Sequence, residues 1–206
     1  MQQDLLPLFP LSVVLFPRTP LPLHIFEERY KEMIGEALRT RSEFGIVLAN
    51  EKGIVNVGCS ASVEKVIKTY ASGEMDIFTV GRRRFEILDL NEEKAYLRGT
   101  VSYFDDEDFE PPVGDQQRQV VRSYYALRDV DKQAGAVEPE LTDPQLSFQI
   151  AAAIADLDFR QLLLRTRSEA DRIRQLAEFL PGYLTKRRRV AHALRVAPHN
   201  GKAAGN

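Results

Sequence analysis

Ser62-Val63-Glu64-Lys65 sets a hydroxyl three residues before an amine, the Ser-x-x-Lys spacing with which some acyl-transferring hydrolases activate a serine. That chemistry needs both side chains on one helical face, so that the lysine can take the serine's proton. The segment around them is β-branched and reads as a strand, where positions three apart point to opposite faces. The companion motifs are absent, and no catalytic role is assigned to the pair. Glu28, Glu32 and Glu36 recur every four residues. Paired carboxylates do acid–base work only in a cleft that drives their pKa values apart. Beside Arg29, Lys31 and Arg39 these three read instead as a solvated helix face.

Metal and nucleotide chemistry find no footing either. His24, His192 and His199 are not at ligand spacing, and the single Cys59 has no thiol partner, so neither a metal nor a cofactor is expected. Cys59 reads as a small buried hydrophobe in a strand. Nowhere do four residues separate a glycine from a Gly-Lys followed by Ser or Thr, so backbone amides form no phosphate cradle. With no catalytic constellation in the chain, the reading is of a non-enzyme.

Two basic clusters remain, Arg82-Arg83-Arg84 and Lys186-Arg187-Arg188-Arg189. Nucleic-acid recognition wants a basic face interleaved with aromatic residues. The first cluster lies beside Phe78 and Phe85, in a stretch (residues 1–114) holding 13 Lys and Arg against 19 Asp and Glu. The second has only Tyr183 nearby. Both read as solvated surface, and nucleic acid is a disfavoured partner. The second cluster could equally dock an acidic partner or the chain's own acidic run.

The elements that carry these residues follow from composition and pattern. The 206 residues have a formal net charge of −2, 44% apolar content and ordinary globular balance, enough to build a core without staples. No run of eighteen apolar residues suits a membrane span. The opening MQQDLLPLFPLSVVLFP carries Asp4, no positive charge before Arg18, and helix-breaking prolines at 7, 10 and 17, unlike a signal peptide. One cysteine cannot form an internal disulfide, which suits the cytoplasm.

The acidic run Asp105-Asp106-Glu107-Asp108-Phe109-Glu110-Pro111-Pro112 reads as a linker or exposed loop and sets the expected domain boundary. Before it the pattern is mostly strand. LPLFPL and VVLFP are proline-bounded, FGIVLA is fully apolar, SVEKVIKTY and MDIFTV flank a Gly73 hairpin, FEILDL follows Gly81, and YLRGTVSYF alternates. One helix interrupts them, with Phe26, Tyr30, Met33, Ile34, Ala37 and Leu38 at helical spacing. Beyond the boundary the reading is helical. One helix starts at Asp143-Pro144 and runs through Leu157. Another is opened by the capping-box spacing of Ser168 to Asp171, and Pro181-Gly182 is expected to break or kink it. The expected domains are 1–110 and 111–197, with 198–206 as a disordered tail.

A series of motifs in order is more specific than any of these patterns alone. LPLFPL, VVLFP and PLHIFEERYKEMI, then FGIVLAN, the glycine of VGCSASVEKV, SGEMDIFTVGRRRFEIL and YLRGTVSYFDDED resemble the N-terminal domain of Lon proteases. Gly81, Arg84 and Phe85 fall on that family's Gly-x-x-Arg-Phe turn. LSFQIAAAIADLDFRQLLLRTRSEADRIRQLAEFL is similar to the helical part of the same domain. The resemblance, over about residues 5 to 180, implies an α+β fold. An N-terminal PUA-like twisted β-barrel or sheet domain with one inserted helix would precede a C-terminal helical bundle. It also implies a non-catalytic, stand-alone polypeptide-binding module, lacking the family's ATPase and protease parts. An RNA-binding PUA-like protein is the alternative. Partners would be unfolded polypeptide or a partner protein such as a protease, with no membrane; exposed edges or the basic helix could also make a homodimer.

Within the resemblance, Leu23, Ile25, Phe26, Tyr30 and Ile34 read as buried core, a helix clamped to a sheet. Prolines at 7, 10, 17, 20 and 22 limit strand pairing and leave backbone near Pro17 free to accept an extended peptide by strand addition. Phe9, Phe16 and His24, if exposed, would supply its side-chain pockets. Arg29 and Arg84 would pair with Glu27, Glu28 or Glu86, or hold a ligand carboxylate.

Overall fold

The computed structural model describes residues 5–107, 114–131 and 138–196; the tail expected at 198–206 and most of the acidic run lie outside these residues. The elements are β1 (Leu6–Leu11), β2 (Pro20–Ile25), α1 (Glu28–Thr40), β3 (Phe44–Asn50), β4 (Gly53–Thr69), β5 (Met75–Asn91), β6 (Arg98–Phe104), α2 (Gly114–Val130), α3 (Leu146–Ala151), α4 (Leu157–Arg165) and α5 (Glu169–Val196). They form two compact units. The first takes the chain as far as Asp108, within the acidic run, together with Ala155–Arg167; the second takes the stretch ending at Ile154 and everything from Ser168. The chain therefore leaves the first unit and returns to it for one helix, α4, which lies inside the range expected for the helical domain.

In the first unit six strands form one mixed sheet in the order β2-β5-β4-β3-β1-β6, and β6 pairs back onto β5. The two long strands make closure possible. β5 gives its first half to β2, from Ile25↔Met75 to Pro20↔Val80, and its second half to β6, from Arg84↔Phe104 to Asn91↔Arg98. β4 lines its other side, with three register shifts that bend the pair. Closure leaves β1, β3, β4, β5 and β6 with partners on both sides, and β2 remains an edge strand. Leu6, Leu8, Val47 and Phe85 form a buried core cluster, with Ile54, Ile87, Leu97 and Val101 packed against it. FEILDL is no separate strand, because β5 continues through Gly81. Only glycine allows that passage, since a Cβ there would lie 2.1 Å from the carbonyl oxygen of Phe16.

α1 buries Tyr30, Met33, Ile34 and Ala37. It begins at Glu28, two residues later than the apolar spacing suggests. Phe26 therefore stands outside the helix, between the end of β2 and the N-cap Glu27, and is 59% exposed, and Leu38 is also exposed. The expectation of a buried Phe26 fails because helical periodicity does not extend to it.

α4 is bound to the barrel by side chains at both ends. Asp156 caps its start by accepting from the Phe159 N–H at 2.9 Å. Arg160 donates to the Val14 carbonyl at 2.5 Å and lies 5.2 Å over the Phe16 ring. Gln161 donates to the Val57 carbonyl at 2.9 Å. At the other end Arg84, 2% exposed, reaches out of β5. It donates to the carbonyls of Leu164 at 3.2 Å and Thr166 at 2.7 Å, and to the Asp106 carboxylate at 2.7 Å. A guanidinium suits the carbonyl end of a helix, where partial negative charge collects.

In the second unit the helix expected from Asp143-Pro144 ends at Ala151, and Leu157 belongs to α4 instead. Glu169 accepts from both the backbone N–H and the hydroxyl of Ser147, at 2.9 and 2.6 Å, and pairs with buried Arg172 at 2.8 Å. Burial pushes the Glu169 carboxyl up. α5 runs unbroken through Pro181, against expectation. The proline removes the N–H that would have bonded the Ala177 carbonyl, and the Gln119 side chain of α2 supplies that hydrogen bond at 3.1 Å.

Arg84→Leu leaves Asp106 and two helix carbonyls without their cation. It should lower the unfolding free energy by about 3–5 kcal/mol in urea titrations. Arg84→Lys should recover only part of it, because an ammonium lacks the planar fork.

Candidate functional site

The structure scatters the residues proposed from sequence. Phe9 is buried beneath α1, its ring 4.1 Å from Tyr30 and 6.5 Å from Phe44. Phe16 is fully buried and Pro17 is buried beside it. None of the three is offered to a peptide, because the α1 aromatic cluster covers Phe9 and Arg160 lies over Phe16. Arg84 is buried and donates within the unit, with Asp106 rather than Glu86 as its carboxylate. Arg29 is exposed and pairs with Glu27 at 2.7 Å, its guanidinium 4.6 Å over the Tyr30 ring. His24 alone of the expected pocket residues is exposed.

Strand addition at β2 also meets an obstacle. The Thr19 carbonyl accepts from the Gly81 N–H at 3.0 Å, and the Leu21 carbonyl from the Thr79 hydroxyl at 2.6 Å, so the odd-numbered backbone groups face β5. Alternation turns those of Pro20, Pro22 and His24 to the open edge. Two of these three have no N–H. The edge offers acceptors almost without donors, which blunts it against an incoming strand. Prolines that looked permissive for a peptide strand are protective.

What β2 does present is its C-terminal end. His24, Asp76 and Lys68 stand opposite one another across β2, β5 and β4. His24 Nδ1 lies 2.7 Å from one Asp76 oxygen, and the Tyr70 hydroxyl donates to the other at 2.8 Å. A carboxylate only accepts, so Nδ1 carries the proton of that bond. His24 Nε2 lies 3.7 Å from Glu74, and Lys68 sits 4.1 Å over the Tyr70 ring. The exposed Phe26 ring stacks on His24 at 5.9 Å and 22°, while Tyr70 meets His24 edge-on at 5.9 Å. Ile67, next to Lys68 on β4, is 57% exposed. A hydrogen-bonded frame thus holds three aromatic rings at the surface. Sequence reasoning found His24 and missed Phe26, Tyr70 and Asp76; the Gly73 hairpin, which returns the chain opposite His24, was the available signal.

The first unit also has a cavity of about 430 Å³ lined by Asn56, Val57, Glu86, Phe104 and the Arg165–Arg167 segment at the end of α4. The arginine run of β5 is neutralised locally. Arg82 pairs with Glu64 and Arg83 with Asp105, as Arg84 does with Asp106. Ser62 and Lys65 do share a face, because a register shift between Val63 and Lys65 puts them opposite Val80 and Phe78. The Ser62 hydroxyl nevertheless donates to Glu64 and accepts from Arg82, and makes no bond to Lys65. Burial raises the Cys59 thiol to about 12, which keeps it inert. No cluster of three metal-ligating side chains and no helix long and apolar enough to cross a membrane occurs among the described residues.

The hydrogen bonds from His24 and then Tyr70 hold the Asp76 carboxyl below its ordinary value. A carboxyl lowered in the folded state stabilises it above the ordinary aspartate range, and that contribution fades as pH falls through the lowered value. NMR titration should place Asp76 below the ordinary range in the native protein and return it toward that range in His24→Ala.

Comparison with known proteins gives this geometry a context. The chain is 29% identical over 144 residues to the Lon protease of Parabacteroides distasonis, an alignment covering 65% of this chain and 17% of that protease. Solved structures share the fold, two of them as follows. A Lon N-terminal domain protein from Xanthomonas campestris superposes with a TM-score of 0.68 at 22% identity, covering 85% of this chain and 98% of that one. The N-terminal domain of the Mycobacterium avium complex Lon protease gives 0.62 at 16% identity, over 86% and 98%. Residues 5–181 match the sequence model of the ATP-dependent protease La (LON) substrate-binding domain, and the chain belongs to that family.

Proposed function

We propose that this chain is a non-catalytic polypeptide-capture module, and that the His24–Phe26–Tyr70 surface is where it engages unfolded chain. The match of residues 5–181 to a substrate-binding domain carries the reading. The aromatic surface supports it physically. Exposed aromatic rings fixed by hydrogen bonds offer apolar contact to many sequences at little entropic cost, as capture of varied polypeptides requires. The blunted β2 edge favours recognition through side chains over strand addition. The captured chain would be unfolded polypeptide, or a partner protein that presents an unfolded segment, for delivery to a protease. The buried, unpaired cysteine supports work in the cytoplasm.

An RNA-binding role draws less support. The three arginines of β5 that would form its basic face each have an acidic partner, so phosphates would have to displace those pairs.

Fluorescence anisotropy with a labelled, permanently unfolded polypeptide tests the reading. Binding should survive moderate salt, and Phe26→Ala should weaken it about tenfold, the order expected for losing one buried aromatic contact. Binding that collapses with salt and is indifferent to Phe26→Ala contradicts the proposal.

A further inference from the structure

The cavity at the end of α4 holds two opposite charges that the fold leaves unspent. Arg165 lines it, exposed and with no hydrogen-bond or ion-pair partner among the described residues, although the neighbouring cations are occupied. Arg84 is matched by Asp106, and Arg167 by Glu107 at 2.5 Å. Glu86 lines the cavity too and accepts one hydrogen bond, from the Asn56 amide at 3.0 Å to Oε1. Glu86 and Arg165 do not pair with each other. Val57 and Phe104 also line it, both largely buried, the Phe104 ring 4.8 Å from the Arg84 guanidinium and 4.5 Å from that of Arg167. Behind Val57, whose carbonyl takes the Gln161 amide N–H, the buried Gln161 Oε1 has no donor.

A ligand that satisfies this lining carries a carboxylate for Arg165, an N–H donor for Glu86 and a small apolar group for Val57 and Phe104. The last residue of a polypeptide has these three features, namely its α-carboxylate, its own amide N–H and its side chain. A mid-chain segment with an apolar side chain lacks the carboxylate. A free anion such as phosphate lacks the donor and would face Glu86. Guanidinium–carboxylate bonds are charge-assisted, and so is an amide donating to a carboxylate. The volume lies within the range of small-ligand sites and suits one or two residues.

We infer that this cavity binds the free C-terminus of a polypeptide whose final residue is apolar. The inference rests on the polypeptide-capture reading and adds to it a preference for chain ends. It concerns a different place on the first unit from the His24–Phe26–Tyr70 surface. Because Arg165 is exposed and makes no bond among the described residues, replacing it should not disturb the fold.

The test uses two labelled unfolded peptides of one sequence ending in leucine, one with a free carboxylate and one with a C-terminal amide. The free acid should bind about tenfold more tightly, as the loss of one charge-assisted contact implies. Arg165→Ala should bring it to the level of the amide, leaving amide binding and the melting temperature unchanged. Glu86→Ala should weaken the acid as well, with Glu86→Gln, which keeps the acceptor, weakening it less. Equal binding of acid and amide, or an acid preference that survives Arg165→Ala, overturns the inference while polypeptide capture stands. Failure of both peptides to bind overturns the inference together with the capture reading beneath it.

Discussion

One buried guanidinium holds the first unit together. Arg84 leaves β5 inside the protein and is there matched to two carbonyls of the α4 end and to the Asp106 carboxylate. The cost of taking a cation out of water is offset only because these acceptors are all in place at once. That requirement brings back a helix some eighty positions further along the chain, and it fixes the end of β6 through Asp106. The same residue explains why Phe104 is rigid, since its ring lies against both Arg84 and Arg167. The cavity and its lining charges exist only because α4 ends where Arg84 holds it.

The rest of the first unit divides its surface between protection and display. Barrel closure removes most strand edges, and Pro20 and Pro22 blunt the one that remains. At the end of β2 the Asp76 carboxylate, bonded by His24 and Tyr70, keeps aromatic rings in place around an exposed Phe26. The proposed brief capture of unfolded polypeptide would give reason for both. An open strand edge would pair with its cargo irreversibly, whereas fixed rings make contacts that are individually weak and easily broken.

Much of this fold is legible in the sequence. The motif series from LPLFPL to the Ser168 cap gives the family, and the alternation and turn residues give the strands and the Gly73 hairpin. What is not legible depends on partners distant in sequence. Leu157–Arg165 reads as one more amphipathic stretch, and only Arg84, Arg160 and Gln161 acting together return it to the barrel. Pro181 should break a helix by local rules, yet the Gln119 amide satisfies the one carbonyl it orphans. Phe26 falls on the helical spacing of α1 and so reads as core, although the helix begins two residues later. Phe9 and Phe16 have the residue types of a binding pocket, but aromatic residues beside proline serve a core equally well, and type alone does not separate the two. The site was half legible for the same reason. His24 stands out as an isolated histidine, whereas its frame comes from strands forty to fifty residues away.

Hydrogen–deuterium exchange on the protein, with and without a saturating unfolded polypeptide, tests the capture account most directly. The account predicts slowed exchange at residues 24–26 and 67–76, the end of β2 and the hairpin that frames it, with the barrel core unchanged. Unchanged exchange in both segments while polypeptide is demonstrably bound would contradict it.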